Sequence, residues 1–346
     1  MKIQSLKLFL GILFLQLINI EDINAQKKWY ERNNIEKANF SQYSTIDFGG
    51  GSSHYLGELN PYRDALFSAF TRLPRWNATL GVTRAFTPRI SARAAFTWAR
   101  IAGDDNVFYN DPERIAYYMR NLHFRNDIKE FSLIGIYNLI PTEKNFKVRK
   151  KFTPYIFAGI ALFDHNPMAK APISEGGDWV SLAPLRTEGQ GLPGYDLQPY
   201  KPLQIAIPFG GGVKMKLNTR WDISFEASVR YTFTDYLDDV STALADPNDL
   251  EAQIGPLARQ MGNRSLEKIA AYSGEDRTDR VRQILVDYFN VKQGDPQYLD
   301  PFKDPLPGFS ERGDPRGAAN RLDLYILTCI KLHYIILPKI KCPSTE

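Results

Sequence analysis

Trp221-Asp222-Ile223-Ser224-Phe225-Glu226-Ala227-Ser228-Val229-Arg230-Tyr231-Thr232-Phe233-Thr234 alternates apolar and polar residues without a break. Only an extended chain puts residues two apart on one side. The aromatic and β-branched content of the apolar side is that of a strand. The polar side carries Asp222, Glu226 and Arg230, so the two faces of this strand meet different surroundings.

Working outward, 203–217 reads alike, with Leu203, Ile205, Ile207, Phe209, Val213, Met215 and Leu217 set against Gln204, Lys214 and Lys216. Pro208 falls inside it, where the missing ladder donor predicts a bulge. Ile90, Ala92, Ala94, Phe96 and Trp98 alternate with Ser91, Arg93, Ala95, Thr97 and Ala99. Less regular versions lie at 43–56, 76–86, 128–139, 155–163 and 322–337, which makes eight strands.

The connections decide how these strands are arranged. Thr87-Pro88-Arg89, Asn218-Thr219-Arg220 and the basic stretch 140–153 are short. The other four run to about 19, 24, 38 and 85 residues, and short and long alternate strictly along the chain, as in an up-and-down barrel whose long loops share one end. In outer-membrane barrels the short end is periplasmic and the long loops are extracellular. Period two alone also allows a soluble lipocalin-like barrel with the apolar face inside. That arrangement would crowd many large aromatics into a narrow bore, whereas strands of this length suit a bilayer span.

The expected fold is therefore all-β: an eight-stranded up-and-down transmembrane β-barrel over 43–337 with long extracellular loops, the last of them (236–320) partly helical. Val281, Ile284, Leu285 and Tyr288 repeat at helical spacing, with Thr278 or Asp279 placed to cap. An eight-stranded bore is filled by side chains, which excludes a porin. The interior charges Arg93, Glu130, Lys214, Asp222, Glu226 and Arg230 should then pair with one another, because an isolated buried charge is costly.

Composition agrees with an exported envelope protein. The chain has 346 residues, 43 basic against 39 acidic side chains and two cysteines, Cys329 and Cys342. A net charge of +4 spread over that length argues against a nucleic-acid binder. Two cysteines exclude a disulfide scaffold, and a Cys329–Cys342 bridge is not expected, since Cys329 falls mid-barrel. Lys2 and Lys7 precede the apolar run 8–20, and Ala25 precedes Gln26, the pattern of a secretory signal peptide over 1–25. The segments 26–42 and 338–346 are then periplasmic.

Chemistry is sparse. The triple-glycine runs at 49–51 and 210–212 do not continue as phosphate loops. His54, His123, His165 and His333 are scattered, and Asp246, Asn248, Asp249 and Glu251 lack calcium-loop spacing. Ser52, Ser53 and His54 sit where the first strand meets its long loop, the one place where a lipid-modifying enzyme could be built. Ser53 and His54 point to opposite faces, however. No catalytic, cofactor-binding or metal-ligating residue is assigned.

Several runs together resemble the PorG-like outer-membrane proteins of Bacteroidetes, components of the type IX secretion machinery. They are Phe48-Gly49-Gly50-Gly51, His54-Tyr55-Leu56-Gly57-Glu58-Leu59-Asn60, Arg120-Asn121-Leu122-His123-Phe124-Arg125, Thr153-Pro154-Tyr155-Ile156-Phe157-Ala158-Gly159-Ile160, Ala206-Ile207-Pro208-Phe209-Gly210-Gly211-Gly212-Val213-Lys214, Arg230-Tyr231-Thr232-Phe233-Thr234-Asp235-Tyr236-Leu237-Asp238-Asp239-Val240-Ser241 and Lys341-Cys342-Pro343. The resemblance implies a non-enzymatic barrel in the outer membrane, in contact with its lipids, that docks onto a periplasmic ring of a lipoprotein and its partner. It also implies that Pro208 is a family feature. An adhesion or ligand-binding barrel is the alternative.

Two stretches stand out as contact sites. The turn between the fourth and fifth strands carries Lys144, Phe146, Lys147, Arg149, Lys150 and Lys151, a basic group with apolar residues interleaved. It suits an acidic partner or anionic headgroups. Asp235, Tyr236, Asp238 and Asp239 fall at the opposite rim, beside Tyr231 and Phe233, as a loop anchor with girdle aromatics or a contact with another outer-membrane protein.

Overall fold

The computed structural model describes residues 40–60, 73–142, 146–309, 311–318 and 322–336. The expected signal peptide over 1–25, most of the expected N-terminal segment, the C-terminal tail with Cys342, and Lys144 lie outside the described residues. Ten strands form one antiparallel sheet: β1 (Tyr43–Leu56), β2 (Arg75–Ala85), β3 (Ile90–Asp104), β4 (His123–Asn138), β5 (Phe152–Asp164), β6 (Pro167–Lys170), β7 (Trp179–Ser181), β8 (Leu203–Lys216), β9 (Trp221–Thr232) and β10 (Leu324–Ile336). Eight of them close into a barrel in the order β1-β2-β3-β4-β5-β8-β9-β10, with β10 returning to β1. Each barrel strand pairs with its sequence neighbours, the up-and-down arrangement that alternating loop lengths predict. β6 and β7, too short to carry a periodic signal, extend β4 beyond the barrel as a hairpin.

The short turns close by local chemistry. Thr87 Oγ1 accepts the amides of Arg89 and Ile90, and Asn218 Oδ1 accepts those of Arg220 and Trp221 at 2.8 and 3.0 Å. Pro208 does not cause the expected bulge. The β5–β8 ladder opens opposite it and resumes in the same register, from Ala158↔Phe209 to Ala161↔Ala206. The glycine runs are places of close backbone approach: a Cβ on Gly51 would strike the Thr328 carbonyl, and one on Gly212 would lie 2.8 Å from the Tyr155 hydroxyl.

The barrel is inside out relative to a soluble one. Leu80, Phe96, Phe131, Leu133, Ile160, Leu162, Leu203, Ile205, Phe225 and Ile330 point outward and are each roughly half exposed. Asn77, Thr79, Arg93, Glu130, Asp222, Glu226 and Arg230 point inward and are buried. An apolar outer belt around a polar interior is the polarity of a transmembrane barrel, and it excludes the lipocalin-like alternative. Among the described residues no helix is long and apolar enough to cross a membrane, so any crossing is made by these strands.

The described parts of the β3–β4, β5–β8 and β9–β10 connections fold into a cap over one end. It holds α1 (Ile115–Arg120), α2 (Pro247–Gln253), α3 (Pro256–Gly262), α4 (Thr278–Phe289) and α5 (Pro296–Leu299). α4 is the helix expected from the 281–288 spacing. Val281, Ile284 and Leu285 are fully buried against Phe108, Tyr118, Met119, Phe302 and Leu306, while Tyr288 turns out to solvent. Its cap differs from expectation: Asp276 Oδ1, rather than Thr278 or Asp279, accepts the first free amide, that of Thr278, at 2.7 Å.

Candidate functional site

The bore is filled along its length. At the long-loop end Tyr55, Leu59, Ile101, Phe124, Ile128, Phe163, Leu237, Val240, Tyr325 and Leu327 form an apolar plug. Below it the inward residues of seven strands build a charge network. Glu226 sits 2.8 Å from Arg93 and 2.6 Å from both Lys331 Nζ and the Tyr155 hydroxyl. Glu130 receives Arg230 at 3.1 Å and Tyr325 at 2.7 Å. Asp47 accepts from Thr45 at 2.6 Å and Thr83, and holds His333 at 2.7 Å and Arg93 at 3.5 Å. Every one of these carboxylates is held by a cation together with a hydroxyl donor, which is what lets charge persist in so buried an interior.

Arg93, Glu130, Glu226 and Arg230 thus come together as the alternation implied, and Asp222 pairs with Arg149 instead of with another strand residue. Lys214 faces the same interior near the short-turn mouth, where its ammonium lies 5.7 Å from the centre of the Tyr155 ring. Asp47, Lys331 and His333 join the network. In 322–337 Asp323, Lys331 and His333 share one parity, set against Leu322, Leu324, Ile326, Ile330, Leu332, Tyr334 and Ile336, so the alternation there carries a signal for Lys331 and His333.

The basic turn needs correction. Phe146 is buried against Tyr43, Ala85 and Ile335, and Arg149 is buried with both guanidinium edges occupied. Its Nη2 lies 2.7 Å from Asp222 Oδ1 and also donates to the Asn218 carbonyl, while Nη1 donates to those of Thr219 and Phe146. These two side chains seal the short-turn mouth and cannot meet a partner. Lys147, Lys150 and Lys151 remain outward, with Val148 exposed between them.

At the other rim, the residues 235–239 anchor the cap. Asp239, in the left-handed region at φ 68°, accepts from Thr187 at 2.5 Å and Tyr200 at 2.6 Å. Asp238 accepts from the Tyr55 hydroxyl at 2.7 Å and the Val240 amide at 2.9 Å. Tyr236 stacks on Tyr200 at 4.8 Å, so only Tyr231 and Phe233 serve as outward girdle residues. Buried Arg316 reaches Glu188 at 3.2 Å and Asp239, tying the loops 165–202 and 233–323 together.

Ser52 and His54, two apart on the outward face of β1, do meet: Ser52 Oγ lies 2.9 Å from His54 Nε2 and 2.7 Å from Thr328 Oγ1. The divergence expected for Ser53 holds, its hydroxyl donating to the carbonyls of Trp76 and Arg100. It is the neighbouring serine, of the same parity as the histidine, that makes the pair.

Fold and interior together define a transmembrane β-barrel with a sealed bore and a structured cap. Residues 37–172, less than half of the chain, match a family described as a domain of unknown function, DUF6089. No curated protein matches. Among solved structures, the chain is similar to the N-terminal β-barrel domain of Pseudomonas aeruginosa OprF, at 10% identity, TM-score 0.29, over 56% of this chain and 87% of that one. It is also similar to Ail, the attachment invasion locus protein of Yersinia pestis, at 11% identity, TM-score 0.29, over 55% and 88%. Neisserial surface protein A is a third, at 10% identity, TM-score 0.31, over 55% and 82%. The fold assignment rests on the sheet of this chain, not on these likenesses.

Proposed function

We propose that the chain is a non-enzymatic outer-membrane barrel that anchors a periplasmic assembly, acting as a fixed post and not as a conduit. The observation that carries this reading is the sealed short-turn mouth. Arg149 and Phe146 close it, and the same turn leaves Lys147, Lys150 and Lys151 facing outward. A closed bore transmits nothing, and a basic surface beside a membrane offers an acidic partner a fast, salt-sensitive encounter.

The finer reading is a subunit of a type IX secretion complex, docked on a periplasmic ring of a lipoprotein and its partner. Its support is the set of runs shared with PorG-like proteins, the 230–241 run above all. The test is co-purification of ring components with a Lys147→Ser, Lys150→Ser, Lys151→Ser variant, which spares the structural Arg149. Loss of the ring components supports docking through this turn. Undiminished co-purification, with function lost on deleting the 236–320 loop, favours an adhesion barrel instead.

The Ser52–His54 hydrogen bond favours a second reading, a lipid-modifying enzyme, because a histidine in reach of a serine hydroxyl is the first requirement of an activated nucleophile. Turnover of labelled phospholipid or lipopolysaccharide by the purified protein, abolished in Ser52→Ala, would establish it. Absence of turnover removes it.

A further inference from the structure

Three strand ends meet at the long-loop rim, and each brings a carboxylate. Glu58 follows β1 in a tight turn closed by Gly57 and Asn60, Asp235 follows β9, and Asp323 precedes β10. Each of the three offers one carboxylate oxygen, and these oxygens lie within 4.8 Å of one another. Calcium–oxygen distances of about 2.3–2.6 Å put opposite ligands roughly that far apart. Asp238 stands beside them, joined to Asp323 through the Tyr55 hydroxyl, which lies 2.7 Å from one and 2.6 Å from the other.

Among the described residues, two buried carboxylate oxygens lack any hydrogen-bond partner, Glu58 Oε2 and Asp235 Oδ1, and both belong to this group. Glu58 is 6% exposed. The remaining oxygens are aimed by donors: the Leu237 amide holds Asp323 at 2.8 Å, and the Ser241 hydroxyl holds Asp235 at 2.7 Å. The arginines nearby are committed elsewhere, Arg120 to Asp105 at 2.8 Å, Arg114 to Asp111 at 2.8 Å and Arg316 to Glu188. Glu58 also borders a cavity of about 310 Å³.

We propose that Glu58, Asp235 and Asp323, flanked by Asp238, form a binding site for a divalent cation, calcium by its chemistry, that clips the ends of β1, β9 and β10 to the cap. The donor set is hard oxygen alone, which selects calcium or magnesium over zinc or copper. Irregular ligand placement from three segments suits the flexible calcium shell better than the strict magnesium octahedron. The site is independent of which partner the barrel has.

The test is calorimetric titration of the full chain, folded in detergent, with calcium chloride near pH 7. The site predicts saturable binding of calcium. Glu58→Gln should weaken affinity at least as much as the ~10- to 100-fold that loss of an outer-sphere partner costs a metal site. It is a neutral isostere of the glutamate side chain and should fold; if it does not, Asp235→Asn at the half-buried position replaces it. Asp249→Asn, in the separate acidic stretch of the cap, should leave binding unchanged. The proposal is overturned by no binding up to about 10 mM calcium, above the range of weak extracellular modules. It is equally overturned by undiminished binding in Glu58→Gln and Asp235→Asn, or by loss in Asp249→Asn alone.

Discussion

Arg149 Nη2 lies 2.7 Å from Asp222 Oδ1, joining the turn that enters β5 to the first residues of β9, with both side chains almost wholly buried. The pair converts a basic turn into a stopper. Removing the cation strands the carboxylate, so Arg149→Ala should cost about 3–5 kcal/mol. Replacing both partners with apolar residues, as in Arg149→Met with Asp222→Leu, should cost much less. Urea unfolding of the detergent-folded protein, followed by its heat-modifiable electrophoretic band, measures both.

The cap has its own core, and that core should be separable from the barrel. Ile284 is fully buried between α4 and the 105–122 connection. Ile284→Ala should destabilise the cap by about 2–5 kcal/mol. Hydrogen exchange should show faster opening at 278–289 and in the facing α1, with protection of the eight barrel strands unchanged.

Acidity should act on the cap in an unusual direction. Carboxylates ordinarily stop contributing to stability as pH falls. Here burial raises Glu58 to about 9 and Asp235 and Asp238 to about 7, above their unfolded values. The folded state then binds more protons than the unfolded one between about pH 4 and pH 9, so in chelator their contribution is full at low pH and fades as pH rises through that window. Limited proteolysis in EDTA should cut the cap faster at pH 9 than at pH 6. The opposite order would contradict the assignment.

How much of the fold and its interior is legible in the sequence depends on periodicity. β3, β8 and β9 alternate cleanly, and parity alone names their inward charges. Asp47 lies in β1, where both parities carry polar residues, so its pairing with His333 of β10 leaves no pattern to read on that side. The basic turn misleads because charge density on a loop says nothing about direction: Arg149 is buried against Asp222 at the bore mouth, whereas Lys147 and Lys151 are exposed. The carboxylate group at the rim is invisible for a different reason. Glu58, Asp235 and Asp323 come from three segments that only barrel closure brings together.

A barrel that spans the outer membrane would place its sealed turns in the periplasm and its cap outside the cell. The most direct test of this orientation is labelling of intact cells with a membrane-impermeant maleimide, in a background with Cys329 and Cys342 replaced by Ser. Thr219→Cys probes the exposed β8–β9 turn and Glu275→Cys the exposed cap. The account predicts that Glu275→Cys is labelled on intact cells and Thr219→Cys only after the envelope is opened. Labelling of Thr219→Cys on intact cells, with Glu275→Cys protected, would contradict it.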